Sequence, residues 1–430
     1  MNKEILRLAI PNIISNISVP LLSTVDTLLM GRMSAAHLGA VGIGSMVFNF
    51  IYWNFGFLRM GTTGLTAQAF GRNNTKSISD ILGRASLLAL ILAIIIMIFQ
   101  IPLYHLSAYL MNVQSTHDPL ISEYFYTRMW AAPATLALYG LMGWFFGMQN
   151  AVIPLILTVI SNLVNIVLSA YLVRGLDLGI AGVAWGTVIA QYVALLMAIY
   201  FLWKRYKTYV KGILLSSLLH WQAMLRFLNI NKDIFIRTVG LTFAFGFFYS
   251  QSSKAGEIIL AVNVVLLQFL NWMSYGIDGF AYASESIVGK YHGQGDNKML
   301  NKAIKYCFFW GMGFALMYTL IYGVVGEPLL HVFTDQQDII DASKKYLIWM
   351  VIFPLLAAPS YIWDGIFIGL TAVKSMKHSM YIALTLYLST FFLLYQKFGN
   401  HGLWMALLIL MIGRGISQAI MYYRSGTNLK

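Results

Sequence analysis

A single cysteine, Cys307, rules out an internal disulfide and any thiolate metal motif. Charge is scarce as well: only 10% of the 430 residues are charged, against 59% hydrophobic. A soluble domain of that composition would expose large apolar patches, so lipid must solvate much of the surface. Alternating strand patterns are missing. Stretches such as Ala85 to Ile101 and Tyr306 to Val325 are apolar continuously, which excludes a membrane barrel and leaves helices. Acidic residues are the rarer charged class, with 16 Asp and Glu against 29 Lys and Arg and a net charge of +13. That excess does not mark a nucleic-acid binder, because the basic residues are scattered at helix ends and not clustered with stacking aromatics. The eight histidines fall in connectors or near helix ends, which argues against a histidine-ligated metal within the membrane.

A spanning helix needs roughly 20 apolar residues, so the chain has room for about a dozen. The apolar runs predict spans at 5–31, 38–70, 79–103, 120–148, 152–173, 179–203, 233–252, 256–289, 303–325, 344–370, 375–396 and 401–423. The first run resembles a signal peptide only superficially, since it holds Pro11, Pro20 and Asp26 without a small-residue cleavage pattern; we read it as a retained helix. One set of connectors carries 17 Lys and Arg residues, and the opposite set only 7: Arg32, Arg128, Arg174, Lys254, Lys344, Lys345 and Lys397. The bias predicts that both termini are cytoplasmic.

The sequence repeats itself. Asn49-Phe-Ile-Tyr-Trp53 matches Gln268-Phe-Leu-Asn-Trp272 at an offset of 219, Gly143-Trp-Phe-Phe-Gly147 matches Gly365-Ile-Phe-Ile-Gly369 at 222, and Pro133 stands ahead of the second pair as Pro354 does at 221. Six helices per repeat make the repeats parallel. The expected fold is thus an all-α integral membrane protein of twelve transmembrane helices in two parallel six-helix lobes, 1–203 and 233–430. They are joined by a basic connector, 204–232, whose Ile213, Leu214, Leu218, Leu219, Trp221, Leu225 and Leu228 are spaced for an amphipathic helix on the inner surface.

Charges near a bilayer centre are costly, so those inside apolar helices are informative: Asp26, Arg59, Asp278, Glu285 and Asp364. Asp26 has only apolar and hydroxyl neighbours in Ser23-Thr-Val-Asp-Thr-Leu-Leu. Desolvation disfavours its ionised form, which makes it a candidate proton or cation carrier. Asn162, Asn165 and Ser169 share the fifth helix at spacings of 3 and 4, and Thr187 lies on the sixth at similar depth. One carboxylate with amide and hydroxyl oxygens could hold a proton or a hard monovalent cation; polar packing between helices is the plainer reading of the same residues. Asp278 falls opposite Arg59 at the offset of 219, so a buried pair between the halves is expected. Asp364, flanked by Tyr361 and Trp363, is a candidate to attract cationic substrates. Prolines 11 and 20 each remove a backbone hydrogen bond from the helix that carries Asp26, a place where bending could couple to protonation.

These residues resemble those of multidrug and toxic compound extrusion (MATE) transporters, in the DNA-damage-inducible F (DinF) branch. The resemblance rests on Phe57-Leu-Arg-Met-Gly-Thr-Thr-Gly-Leu-Thr-Ala-Gln-Ala-Phe-Gly71, on Asp278-Gly-Phe-Ala followed by Glu285 and Gly289, and on Trp363-Asp-Gly-Ile-Phe-Ile-Gly369, and it covers essentially the whole chain. It implies two lobes around a cleft that opens alternately to each side, and efflux of large amphipathic, often cationic, compounds against inflowing H+ or Na+. It also implies a cation site in the first lobe at Asp26, Asn165, Ser169 and Thr187. The family pattern has a second carboxylate four residues after the fifth-helix asparagine, where this chain has Ser169. One anionic group suits a single proton on Asp26; sodium at Asp26, Asn165 and Thr187 is the alternative.

For the cleft we expect Arg59, Tyr139, Asp278, Glu285 and Asp364 at substrate or gating positions, among Met30, Trp53, Trp144, Trp272, Tyr275 and Trp363, which adapt to varied apolar substrates. A lipid-linked precursor flippase of the same superfamily is the competing function; it would want several deep basic residues for a pyrophosphate, and only Arg59 reads as deep. No nucleophile with a base points to an enzyme, and two dissimilar halves supply no ring of filter residues for a channel. We expect a monomer in the bacterial cytoplasmic membrane, small drug-like substrates, no nucleic-acid partner and no cofactor beyond the coupling ion.

Overall fold

In lipid a chain satisfies its backbone polar groups only within helices or closed barrels, and these apolar runs take the first course. The computed structural model describes residues 1–31, 33–111, 113 and 117–425, apart from the side chains of 19–28, 31, 35, 215 and 425. In chain order the helices are α1 (Asn2–Gly31), α2 (Ala35–Phe55), α3 (Phe57–Gly71), α4 (Thr75–Ile98), α5 (Gln100–Leu110), α6 (Asp118–Met129), α7 (Ala132–Gly147), α8 (Val152–Arg174), α9 (Gly179–Arg205), α10 (Lys207–Lys211), α11 (Leu215–Leu218), α12 (Trp221–Lys254), α13 (Glu257–Gln294), α14 (Asn297–Phe333), α15 (Gln337–Lys344), α16 (Leu347–Gly369), α17 (Val373–Phe398) and α18 (Asn400–Ser425).

Among the described residues nine helical runs are long and apolar enough to cross a membrane, and α6 with α7, bent by 49°, make a tenth span. The bend falls just ahead of Pro133, which cannot donate the hydrogen bond that would continue the helix. With α1 and the more polar α12, the spans number twelve in two sets of six, as expected. Outward faces stay apolar: Val324 is 80% exposed and Leu393 75%, and such surface calls for lipid.

The chain packs as two compact units: 14–228, called here the first lobe, and 229–430 with 1–13, the second. The first turns of α1 therefore belong to the second lobe, and those of α12 to the first. The connector does not form one amphipathic surface helix. It breaks into α10 and α11, and α12 begins at Trp221, well before the expected 233. The reason is docking onto α4: Arg84 donates from Nη2 to Ser217 O at 2.6 Å, Ser217 Oγ donates to Asp80 Oδ1 at 2.5 Å, and Leu218 packs over Gly83. Arginine thereby satisfies carbonyls that a four-residue helix leaves open.

The structure sets the register of the repeats. Left-handed residues recur at 222: Asn73 (φ 54°) with Gly295 (φ 72°), Gln149 (φ 60°) with Thr371 (φ 54°), and Asp177 (φ 51°) with Gly399 (φ 55°). Asn74 and Asp296 cap α4 and α14, each accepting at 2.9 Å from the backbone N–H three residues on. The paired glycines explain their own repetition. A Cβ on Gly143 would strike Arg59 O and one on Gly365 would strike Ala281 O; Gly147 and Gly369 press likewise on Thr63 O and Glu285 O, at 2.9 and 2.8 Å. Small residues four apart let α7 lie on α3, and α16 on α13, backbone against backbone. These contacts correct the expected pairing at 219: in the helices that carry them, Arg59 corresponds to Ala281 and not to Asp278.

Gly365→Leu should therefore lower the melting temperature sharply, by overpacking worth about 1–3 kcal/mol or more. Gly246→Ala, where no atom lies within 4 Å, should leave it unchanged or raise it. Fluorescence-detected melts in detergent check the pair, and equal melting of the two variants would refute the close-approach account.

Candidate functional site

The first lobe buries its polar cluster between α8 and α9. Spacing of four puts Asn165 and Ser169 on one face of α8. Asn165 Nδ2 donates to Thr187 Oγ1 at 2.7 Å, Ser169 Oγ lies 3.5 Å from Asn165 Oδ1, and Thr187 Oγ1 donates to Val183 O at 3.1 Å. Exposure is 1% for Asn165, 0% for Ser169 and 4% for Thr187, so the sequence reading brings together three residues that do meet, away from solvent. Gly186 makes the approach close, because a Cβ there would strike Ser169 Oγ. Asn162 Nδ2 donates to Ser18 O at 3.2 Å and to Ser18 Oγ at 3.0 Å, tying α8 to α1. Asp26 belongs to α1, and its carboxylate lies outside the described residues. The second lobe does not repeat the cluster at these positions: the counterparts of Asp26, Asn165, Ser169 and Thr187 at 222 are Phe248, Tyr387, Phe391 and Ile409, and its own neutral buried cluster joins Asn263 to Ser252 and Asn400, at 2.7 and 2.8 Å, elsewhere.

The second lobe concentrates charge instead. Asp364 Oδ2 accepts from both Arg237 Nη2 and Arg414 Nη2, and Oδ1 accepts from Gln418 Nε2 at 2.7 Å. All four are buried, and they join α12, α16 and α18. Glu285, 1% exposed, and the half-buried Asp278 lie within electrostatic reach of Arg237, and Asp278 also of Arg414. Tyr361 and Ser274 hydrogen-bond at 2.9 Å beside them. Asp364 is therefore not a bare carboxylate waiting for a cationic substrate; two guanidiniums already engage it. Arg237 and Arg414 escaped the sequence reading, although the criterion applied to the other deep charges finds both, Arg414 most plainly in Met411-Ile-Gly-Arg-Gly. Their counterparts in the first lobe are Ser15 and Tyr192, and that of Asp364 is Met142.

Arg59 is 9% exposed in the first lobe, its guanidinium 5.9 Å from the ring centre of Phe146. Arg59 and Asp278 belong to different lobes. Tyr139 is half-buried on α7. Three expected cleft residues are core: Met30 is fully buried, and so is Trp144, whose indole donates to Ile78 O at 3.1 Å and packs edge-on to Tyr206, while Trp363 is buried edge-on against Phe308 and Phe367. Trp53 and Trp272, both 44% exposed, stay accessible. Among the described residues no group of three or more His, Cys, Asp or Glu is disposed to hold a metal ion.

Twelve spans in two parallel repeats, each lobe burying its own distinct polar cluster, define a secondary transporter fold. The MatE family profile matches residues 11–171 and again 235–395, one copy per repeat. The chain is 35% identical over 430 residues to DNA damage-inducible protein F of Escherichia coli, covering 99% of this chain and 93% of that protein. It is 22% identical to the multidrug resistance protein MdtK of Edwardsiella ictaluri over 97% of this chain and 94% of that one. In fold it is similar to a MOP superfamily transporter from Pyrococcus furiosus, with a TM-score of 0.88 at 21% identity, covering 97% of this chain and 94% of the other. The protein belongs to the MatE family of multidrug and toxic compound extrusion transporters, and its sequence is DinF-like.

Proposed function

We propose that the protein exports amphipathic, often cationic, small molecules across a bacterial cytoplasmic membrane in exchange for protons, by alternating access, with both termini cytoplasmic. The observation that carries the reading is the cluster of Asn165, Ser169 and Thr187, buried and uncharged, at positions whose counterparts in the other lobe are aromatic or aliphatic. Asp26 supplies the carboxylate of this site. The tie from Asn162 to Ser18 supports that assignment. Odd-numbered spans run the same way, and from the tie both Asp26 and Ser169 lie about 10–12 Å further along their helices, at a rise of about 1.5 Å per residue. With Ser169 in place of a second carboxylate, the site has one negative charge to neutralise, and one proton does so.

A lipid-linked anionic cargo would draw support from Arg237 and Arg414, which make the deep basic residues three rather than one. Asp364, Asp278 and Glu285 offset that charge, so the export reading is the stronger. Efflux of a fluorescent lipophilic cation from vesicles under imposed gradients tests the coupling. A pH gradient alone should drive it, and a sodium gradient alone should not. Transport that persists without a pH gradient and requires sodium overturns the proposal.

A further inference from the structure

Apart from both clusters, the first lobe holds a cavity of about 180 Å³ where the end of α3, the start of α4 and the first turns of α12 meet. Arg72, Arg84 and Arg226 line it with Ser77, beside the apolar side chains of Ile81 and Phe227. Arg84 is engaged: it donates to Ser217 O and Leu218 O and lies 3.8 Å from Asp80. Asp80 borders the adjoining hollow and meets Ser217 Oγ and Arg84. Among the described residues no carboxylate is left for Arg72 or Arg226. Partial burial, and after it the charge of Arg226, lower the Arg72 guanidinium from its ordinary value, so the two cations stand close enough to repel.

The second lobe builds the same corner with an anion in it. The counterpart of Arg226 at 222 is Glu4, which accepts from Lys290 Nζ at 3.0 Å and from Tyr291 Oη at 3.0 Å. The counterpart of Lys290 is Gln68, and Arg72 follows it by one turn. Where one lobe sets a carboxylate against a cation, the other sets two cations around a cavity. Guanidinium forks match phosphate oxygens, and Ser77 lies in the first turn of α4, whose positive dipole end favours an anion. The face is also the one whose connectors carry most of the Lys and Arg, which the proposed orientation turns toward acidic lipid headgroups.

We infer that this cavity binds a phosphate-bearing anion, either the phosphodiester headgroup of an acidic lipid or a free phosphate, which supplies between Arg72 and Arg226 the charge that Glu4 supplies in the second lobe. Melts of the full-length protein test it in two arms. One arm titrates inorganic phosphate into detergent-purified protein against chloride at equal ionic strength. The other compares nanodiscs of phosphatidylcholine with nanodiscs that also contain phosphatidylglycerol. Wild type should melt higher with a phosphate source: response to phosphatidylglycerol alone identifies a lipid headgroup, and response to inorganic phosphate shows that the free anion suffices. Arg226→Glu rebuilds the pairing of the second lobe. It should fold as stably as wild type without phosphate and respond at least about tenfold more weakly, the loss of a charge-assisted contact. Should that variant not fold, Arg72→Gln is read in the same way. No response of wild type in either arm, or an undiminished response of the variant, overturns the inference.

Discussion

Asp364→Ala is expected to cost on the order of 3–5 kcal/mol, because it strips the shared carboxylate from two buried guanidiniums. Set against total stabilities of about 5–15 kcal/mol, that is enough to leave little folded protein at growth temperature. The order of effects is as informative as the size. Arg237→Met leaves Arg414 paired one-to-one with Asp364, and it removes a side chain whose Nε has no hydrogen-bond partner, so its loss should be the smaller. Gln418→Leu should likewise cost less than Asp364→Ala, since Gln418 satisfies Asp364 Oδ1 but carries no charge, and its own Oε1 has no hydrogen-bond partner. Melting temperatures and yields of monodisperse protein measure the series. Should Asp364→Ala melt no lower than Arg237→Met, the carboxylate is not the hub that its geometry describes. A folded Arg237→Met variant would then allow transport to be tested apart from stability.

The second large effect belongs to Asp26. Asp26→Asn keeps the size and hydrogen-bonding capacity of the side chain and removes the only ionisable group assigned to the first-lobe site, so efflux driven by a pH gradient should fall to background while the protein still folds. Ser169→Asp is the complementary change. It adds a carboxylate four residues after Asn165, and sodium should then raise the melting temperature, as it should not in wild type. The added side chain has little room: Ser169 is 0% exposed and Gly186 presses on it, so overpacking of about 1–3 kcal/mol is expected in the absence of the ion. If Asp26→Asn retains gradient-driven efflux, the proton is carried elsewhere, and the carboxylates around Arg237 become the place to look.

Both predictions rest on an asymmetry between lobes of one topology. The backbone repeats at 222 through its left-handed turns, its caps and its paired glycines, whereas the buried polar side chains do not repeat. Asn165 stands opposite Tyr387, and Asp364 opposite Met142. Helix packing constrains small residues at contact points and leaves the remaining interior positions free to diverge, so two copies of one scaffold can bury different polar groups at corresponding positions.

How much of this was legible beforehand depends on how local the signal is. Hydropathy over a window of about twenty residues is a property of contiguous chain, so the spans, the two sets of six and the burial of Glu285 and Asp364 could be read directly from the sequence. Asn165, Ser169 and Thr187 were also within reach, because helical spacing and a short connector between α8 and α9 bring them to one level. The convergence of Arg237, Arg414 and Gln418 on Asp364 was not, since those partners lie 50 to 127 residues away and only packing selects them. The register at α3 and α13 was misread for a related reason: matching Trp53 to Trp272 compares composition, whereas Gly143 on Arg59 O and Gly365 on Ala281 O compare contacts. The connector likewise had the amphipathic spacing of a surface helix, and Arg84 and Asp80 broke it by capturing Ser217. The amino-acid sequence by itself determined the membrane, the repeat and the deep charges, because burial in lipid is written residue by residue. Only the tertiary structure decided which of those charges meet, because pairing energy depends on distances that chain order does not encode.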